Sequence, residues 1–146
     1  MALFIVVGCS RTDTKSMEVF LNRISHGPEN ELGELIYGYT KATPSGKMIL
    51  LGLTKGLRAP SADQHMTIEA LRDAGRFTML AVHVPWPAPT IGARVQPILI
   101  CHEDGRDRLV GYVLPFDDIF RYFQGADTEN ILELSQWWVE SYGTPH

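Results

Sequence analysis

A β-hairpin centred on Asp104-Gly105 is the feature that most constrains how this chain folds. Asp-Gly favours a two-residue turn because both of its positions readily take positive φ angles. The flanking segments 95–103 and 106–114 are apolar on both of their alternating faces. A strand pair of this kind belongs in the centre of a sheet that is covered on both sides. The turn also fixes the register, and it predicts the pairs Ile100–Leu109 and Leu99–Val110.

Amphipathic helices are predicted before and after this hairpin. Four apolar residues with the i, i+3, i+4, i+7 spacing predict a helix that closes at His26; they are Met17, Phe20, Leu21 and Ile24. Residues 116–123 show the same spacing and predict a second helix. A last helix is predicted from Asp127 or Thr128, with an apolar arc on one side and an acidic arc on the other.

Another hairpin is predicted nearer the start of the chain. Segments 35–41 and 47–55 flank the loop Thr43-Pro44-Ser45-Gly46, in which proline and glycine suit a four-residue turn. This register sets Tyr37 opposite Gly52, and an aromatic ring over a strand glycine helps to fix the pairing. The hairpin therefore supplies two of the predicted strands.

The remaining elements complete the predicted domain. Segments 2–7 and 77–84 are predicted strands, and Ser61 with Gln64 forms a capping box for a helix that ends at Gly75. The predicted order is β-α-β-β-α-β-β-β-α-α. A chain of 146 residues with 45% apolar residues has enough apolar surface to build a core. We therefore expect one α+β domain over residues 1–146, with helices packed on a mostly antiparallel sheet that is built from two hairpins plus single strands.

The absence of a long apolar run and of a signal-peptide pattern predicts a cytoplasmic protein. The longest apolar run, residues 2–7, is far shorter than the roughly twenty residues that cross a bilayer, so no membrane segment is expected. No signal-peptide pattern is present, and Cys9 and Cys101 are expected to be free thiols in a reducing compartment. The net charge of −4 argues against non-specific coating of nucleic acid as the main task.

Cys101, His102 and Glu103 are adjacent residues of the kinds that bind metal ions. On a strand, Cys101 and His102 point to opposite faces and cannot converge on one ion. The predicted register instead places each of these residues beside a side chain of the opposite strand. The predicted pairs are His102–Asp107, Cys101–Arg108 and Glu103–Arg106. We expect no metal site and no cofactor.

Cys9 follows a predicted strand and precedes a predicted helix, a position that activates the nucleophile in some thiol enzymes. A phosphatase-type loop would need arginine six residues later, and Lys15 stands there. A small buried residue at a strand end explains Cys9 more simply. No other nucleophile, base or metal set has a recognisable catalytic spacing. The chain is therefore predicted not to be an enzyme, with thiol chemistry at Cys9 as the remaining enzymatic alternative.

Residues 35–62 contain basic side chains and no acid. The basic residues are Lys41, Lys47, Lys55 and Arg58. With Tyr37 and Tyr39 nearby, such a hairpin is one way to bind phosphate backbones or single strands. Lysines on an edge strand also discourage unwanted pairing between sheets, and we favour that explanation. Nucleic-acid binding through these four residues stays an alternative.

The C-terminal quarter of the chain is acidic, with six acids and one base in residues 109–146. Opposite charges in two parts of one chain suit self-association or a charged partner. Trp137 lies at the edge of the apolar arc of the last helix, where aromatic residues often anchor interfaces. The leading hypothesis is a non-enzymatic regulatory or protein-interaction module that acts as a homodimer. Its predicted partner-binding residues are Trp86, Trp137, Glu133 and Glu140.

A sensor of small apolar ligands is a further alternative. The C-terminal helices carry aromatic residues that could line a pocket against the sheet. The candidate ligand-binding residues are Phe120, Phe123, Trp138 and Tyr142.

Overall fold

The computed structural model describes residues 13–86, 95–111 and 126–142. Within these residues, helices pack on a four-stranded antiparallel sheet, which confirms the predicted α+β class. The observed order of elements matches the predicted order roughly. The predicted strand at 2–7, the predicted helix at 116–123 and Cys9 lie outside the described residues.

The sheet consists of two hairpins whose strands are neighbours in chain order. Its strands are β1 (Thr67–Ala74), β2 (Phe77–His83), β3 (Val95–Glu103) and β4 (Arg106–Gly111), and every neighbouring pair is antiparallel. Both hairpin turns therefore lie at the same end of the sheet. Asp104 and Gly105 have φ angles of 51° and 72°, as the predicted two-residue turn requires.

The predicted register of the β3–β4 hairpin is confirmed over most of its length. Ile100, Cys101, His102 and Glu103 pair with the predicted partners on β4. The prediction that Leu99 lies opposite Val110 is wrong, because an irregularity between Leu99 and Ile100 shifts Leu99 to a position opposite Gly111. A bulge of this kind adds one residue to one strand and leaves the pairing near the turn unchanged.

Helix α1 (Thr14–His26) follows the predicted apolar stripe. Asp13 caps it by accepting a hydrogen bond of 2.8 Å from the backbone amide of Ser16. The four predicted stripe residues, Met17, Phe20, Leu21 and Ile24, are all buried. Helix α3 (Ala126–Ser141) corresponds to the predicted last helix and buries Ile131 and Leu134.

The predicted hairpin over residues 35–55 is wrong, because its second half is a helix. Two short 3-10 helices, Glu29–Leu35 and Tyr39–Lys41, precede helix α2 (Pro44–Lys55). Thr43 caps α2, since its hydroxyl accepts a hydrogen bond of 3.1 Å from the amide of Gly46, and proline follows at the first helical position. The residues interpreted as a turn therefore start a helix, and no strand pair forms between Tyr37 and Gly52.

The predicted helix over residues 61–75 is also wrong, because residues 67–74 form strand β1. The Ser61 hydroxyl bonds the side chains of Asp63 and Gln64 in a local turn, and no helix follows. The apolar spacing in this segment is weak, so pairing with β2 decides its structure.

Two apolar clusters cover the two faces of the sheet. On one face, Leu80, Ile98 and Ile100 pack with α1, and Leu51 and Leu53 of α2 contact the same cluster. On the other face, the sheet packs against α3; this cluster includes Phe77, Met79, Leu99, Cys101, Ile131 and Leu134. The sheet is therefore covered on both sides, with α2 and α3 on opposite faces. No helix in the described part of the chain is long and apolar enough to cross a membrane.

Candidate functional site

A row of polar side chains crosses all four strands next to the hairpin turns. Asp73 on β1, Thr78 on β2, His102 on β3 and Asp107 on β4 lie on the face that α1 covers. Thr78 donates a hydrogen bond to Asp73 through its hydroxyl, and the same Oγ1 lies 2.5 Å from Nε2 of His102. Nδ1 of His102 lies 2.5 Å from Oδ1 of Asp107. Each strand therefore contributes one member to a continuous chain of hydrogen bonds.

This row resembles the hydroxyl–imidazole–carboxylate arrangement of nucleophilic enzymes, but its hydroxyl donates its proton to a carboxylate and not to the imidazole. A nucleophilic hydroxyl must give its proton to the imidazole. Here the Thr78 hydroxyl gives its proton to Asp73, while its Oγ1 lies 2.5 Å from Nε2 of His102, whose Nδ1 lies 2.5 Å from Oδ1 of Asp107. Thr78 is also fully buried, with 0% of its surface exposed. The row is therefore arranged to tie the four strands together.

The opposite face carries a network of ion pairs at the same end of the sheet. Arg76 lies between the first two strands and contacts Asp127 of α3 at 2.8 Å and Glu103 at 3.5 Å. Arg108 contacts Glu103 at 2.9 Å. The hydrogen bond to Asp127 raises the pKa of Arg76 above its ordinary value. This network connects both hairpins to the first turn of α3.

The side chains of Cys101 and His102 point to opposite faces, as the register predicted. Cys101 belongs to the apolar cluster under α3, and His102 belongs to the polar row. Among residues 13–86, 95–111 and 126–142, no three histidine, cysteine or acidic side chains are close enough to bind a metal ion.

Burial makes Cys101 a poor nucleophile. Its side chain is 0% exposed, and burial raises its pKa from 9.0 to about 11. About a hundredfold less thiolate is then present at pH 8 than in an unfolded chain, because each pKa unit is a factor of ten. We expect iodoacetamide to alkylate Cys101 about a hundredfold more slowly in buffer than in urea. The measurement uses the Cys9→Ser variant, in which Cys101 is the remaining thiol; equal rates in the two solutions would contradict the burial.

Trp86 does not offer an aromatic surface to a partner. Its side chain is 6% exposed, and its indole nitrogen donates a hydrogen bond of 3.0 Å to the carbonyl of Gly56 at the end of α2. The sequence predicts Trp86 as a partner-binding residue. The structure places it in the core instead, where it holds α2 against the sheet.

The other predicted partner-binding residues lie on α3. Trp137 is half-buried, packs against the cluster beneath the helix, and contacts the ring of Tyr142 edge-on at 6.2 Å. Glu133 and Glu140 are exposed. Glu133 forms a 3.5 Å ion pair with Arg72, and Glu140 accepts a hydrogen bond from Gln136. The two glutamates therefore contribute to an acidic outer surface.

The predicted apolar pocket is only partly covered by the described residues. Phe120 and Phe123 lie outside them, while Trp138 and Tyr142 are half-buried with ring centroids 6.1 Å apart. Two open clefts of about 380 and 440 Å³ lie along α1, away from this aromatic pair. Charged residues such as Arg23 and Asp107 line the first cleft.

The predicted nucleic-acid-binding residues are distributed around α2. Lys41 and Lys55 are exposed, at the two ends of the helix region. Nζ of Lys47 lies 5.4 Å from the ring centre of Tyr39, and Arg58 donates a 2.8 Å hydrogen bond to the carbonyl of Ile24. Two of these four cations are therefore engaged within the chain.

The most exposed large apolar side chains of the described residues lie on α2 and were missed by sequence analysis. Met48 and Ile49 are 76% and 73% exposed, and Leu50, Leu51 and Leu53 of the same helix are half-buried. The hairpin prediction hid this surface, since it assigned residues 47–55 to a strand. The Thr43-Pro44 pair, a common start of a helix, was the signal that could have found it.

A second exposed apolar strip lies on α3. Leu132 and Val139 are 49% and 46% exposed and are seven residues apart, which places them on the same side of the helix. Glu129, Glu133 and Glu140 are exposed beside this strip.

No family model, curated protein or solved structure matches this chain.

Proposed function

We propose that this protein is a non-enzymatic interaction module that acts as a homodimer. The observation that carries the proposal is the exposure of Met48 and Ile49 on α2, at 76% and 73%. Single exposed apolar residues are common on protein surfaces, but adjacent large ones on a largely apolar helix indicate a contact surface. Docking of a partner would remove this apolar area from water.

The sequence of α2 supports the proposal in a second way. The helix contains Gly52 in its interior, which lowers helix stability by roughly 1 kcal/mol relative to alanine. Thr54 is the one residue of this helix that is fully buried. Most helical stability in proteins comes from packing, so a partner on the outer side of α2 would stabilise a helix that its own fold supports weakly.

The non-enzymatic part of the proposal rests on how the polar groups are used. The row from Asp73 to Asp107 and the ion pairs of Arg76 both connect structural elements to one another. The Thr78 hydroxyl, the obvious nucleophile, is buried and donates to a carboxylate. These groups are engaged in mutual contacts that support the fold.

Nucleic-acid binding is the less favoured use of the same surface. Lysines flank the exposed part of α2, but Met48 and Ile49 occupy its centre. Phosphate backbones are bound by charged and hydrogen-bonding groups, and exposed apolar side chains contribute nothing to that contact. A protein surface is the better match.

The double variant Met48→Ser/Ile49→Ser tests the proposal. Loss of two anchoring side chains from an interface costs about 2 kcal/mol or more, so we expect the dimer Kd to rise at least about thirtyfold in sedimentation equilibrium. Val19→Ser is the matched control, because Val19 is 58% exposed on α1. A wild-type chain that stays monomeric, or a dimer that the double variant leaves unchanged, would contradict the proposal.

A further inference from the structure

We propose that the smaller of the two clefts along α1 binds a small zwitterion, namely a free α-amino acid. This proposal goes beyond the homodimer and does not depend on it. The cleft has a volume of about 380 Å³, and sites for small ligands usually have volumes of about 300–1,000 Å³. Its lining residues come from α1, from the 3-10 helix Glu29–Leu35, and from the turn and first residues of β4. A ligand in this cleft would therefore contact three segments that are distant in sequence.

Two arginines line this cleft without a partner in the fold. They are Arg23 of α1 and Arg106 at the start of β4. Among residues 13–86, 95–111 and 126–142, neither guanidinium group forms a hydrogen bond or an ion pair. The other arginines of these ranges each contact an oxygen atom of this chain; they are Arg58, Arg72, Arg76 and Arg108. The arginines that stay available are thus the ones that share this cleft, and guanidinium groups bind carboxylates well.

Two carboxylates line the same cleft and do not neutralise these arginines. Glu34 is exposed and has no ion pair within the described part of the chain. Asp107 contacts His102 through Oδ1, and its second carboxylate oxygen has no hydrogen bond to a described residue. A simple anion bound by the arginines would share the cleft with two like charges, which repel it. A ligand with both a carboxylate and an ammonium group matches both signs of charge, as an α-amino acid does.

Apolar side chains also line the cleft, and they indicate which amino acids fit it. Phe20 and Leu35 are buried, at 4% exposure each, and Val19 is 58% exposed. An aliphatic or aromatic side chain on the ligand would remove part of Val19 from water, which favours binding. We therefore expect the cleft to prefer amino acids with apolar side chains.

Isothermal titration calorimetry on the full chain at low salt tests the chemistry of the ligand. The probes are L-leucine, L-methionine and L-phenylalanine, and at least one should bind saturably with a Kd of about 1 mM or below. The N-acetyl derivative of the best probe lacks the ammonium charge, and its amide lacks the carboxylate charge. Each derivative should bind at least about tenfold more weakly than the free amino acid, because hydrogen bonds between charged groups are the stronger ones.

Substitutions in the cleft test where the probe binds. Arg23→Gln, Arg106→Gln and Glu34→Gln should each raise the Kd of the best probe about tenfold, since each removes one charged contact. These side chains are exposed and have no polar partner in the described residues, so the melting temperature without ligand should not change. Arg72→Gln is the matched control, because it makes the same change on an exposed arginine that contacts Glu133 of α3. It should leave the Kd unchanged.

The possible outcomes separate this inference from the proposed function. Absence of saturable binding by all three probes would overturn the cleft as an amino-acid site, whether or not the chain is a dimer. An N-acetyl derivative that binds as tightly as the free amino acid would show that the site takes simple anions, and would overturn the zwitterion. Binding that Arg23→Gln and Arg106→Gln leave unchanged would place the ligand elsewhere. Binding by a monomeric chain, weakened by these variants, would support the inference and contradict only the homodimer.

Discussion

Replacing Trp86 by alanine is expected to lower the free energy of unfolding by about 4 kcal/mol. Trp86 is 6% exposed in the same cluster as α1, and it donates a hydrogen bond to Gly56 at the end of α2. The substitution removes a large buried ring and leaves a cavity between α2 and the sheet. Urea unfolding measures the loss, at a protein concentration low enough to keep every variant monomeric, because dimerisation itself stabilises the folded chain.

Trp86→Phe separates the ring from its hydrogen bond. Phenylalanine keeps most of the apolar contact and leaves the Gly56 carbonyl without this donor, so a smaller loss of about 2 kcal/mol is expected. An anchor on an exposed interface would behave differently. If Trp86→Ala raised the dimer Kd while the monomer kept its wild-type stability, the buried position of Trp86 would be wrong.

Replacing Thr78 by valine is expected to lower the free energy of unfolding by about 2 kcal/mol. Valine has nearly the same volume, so the change removes the hydroxyl and little else. Asp73 loses a hydrogen bond, Nε2 of His102 loses its contact with the hydroxyl, and the chain of contacts across the sheet is divided at β2. A buried polar group that loses its hydrogen-bond partner destabilises the fold by more than the hydrogen bond itself contributes to stability.

Thr78→Ser provides the matched control for this prediction. Serine keeps the hydroxyl and loses one buried methyl group, which costs about 1 kcal/mol. Urea unfolding under the same conditions should therefore show a larger free energy of unfolding for Thr78→Ser than for Thr78→Val. The opposite ranking would show that the hydroxyl adds no stability and that the polar row does not hold the strands together.

The β3–β4 hairpin could be predicted from sequence because its information is local. Asp104-Gly105 favours a specific turn, and the turn then sets the pairing of the residues nearest to it on both strands. Cys101, His102 and Glu103 accordingly have the predicted partners on β4. The prediction failed at Leu99, where a bulge interrupts the strand, because a bulge depends on contacts that a strand pattern does not contain.

Residues 35–75 could not be predicted because their local signals are ambiguous. Thr43-Pro44-Ser45-Gly46 suits a turn and a capped helix start equally well, and the apolar run after it has no clear period. Ser61 and Gln64 suit a helix cap, yet the residues beyond them pair with β2. Contacts with distant segments decide both cases.

The candidate interface was predicted in part. The acidic surface of α3, including Glu133 and Glu140, follows from the helical period of residues 127–141 and is exposed as that period implies. The α2 surface was hidden because its residues were assigned to strands. Only half of the polar row across the sheet could be predicted. The His102–Asp107 pair follows from the hairpin register, whereas the Asp73–Thr78 pair depends on β1, which was predicted to be a helix.

The mass of the wild-type chain in solution tests the central claim most directly. Sedimentation equilibrium over a range of protein concentrations at low salt should show twice the chain mass of 16.3 kDa at the upper end. Added salt and the Met48→Ser/Ile49→Ser variant should each move the transition to higher concentration. A single species at the mass of one chain, unchanged by concentration or salt, would contradict an interaction module that works as a homodimer.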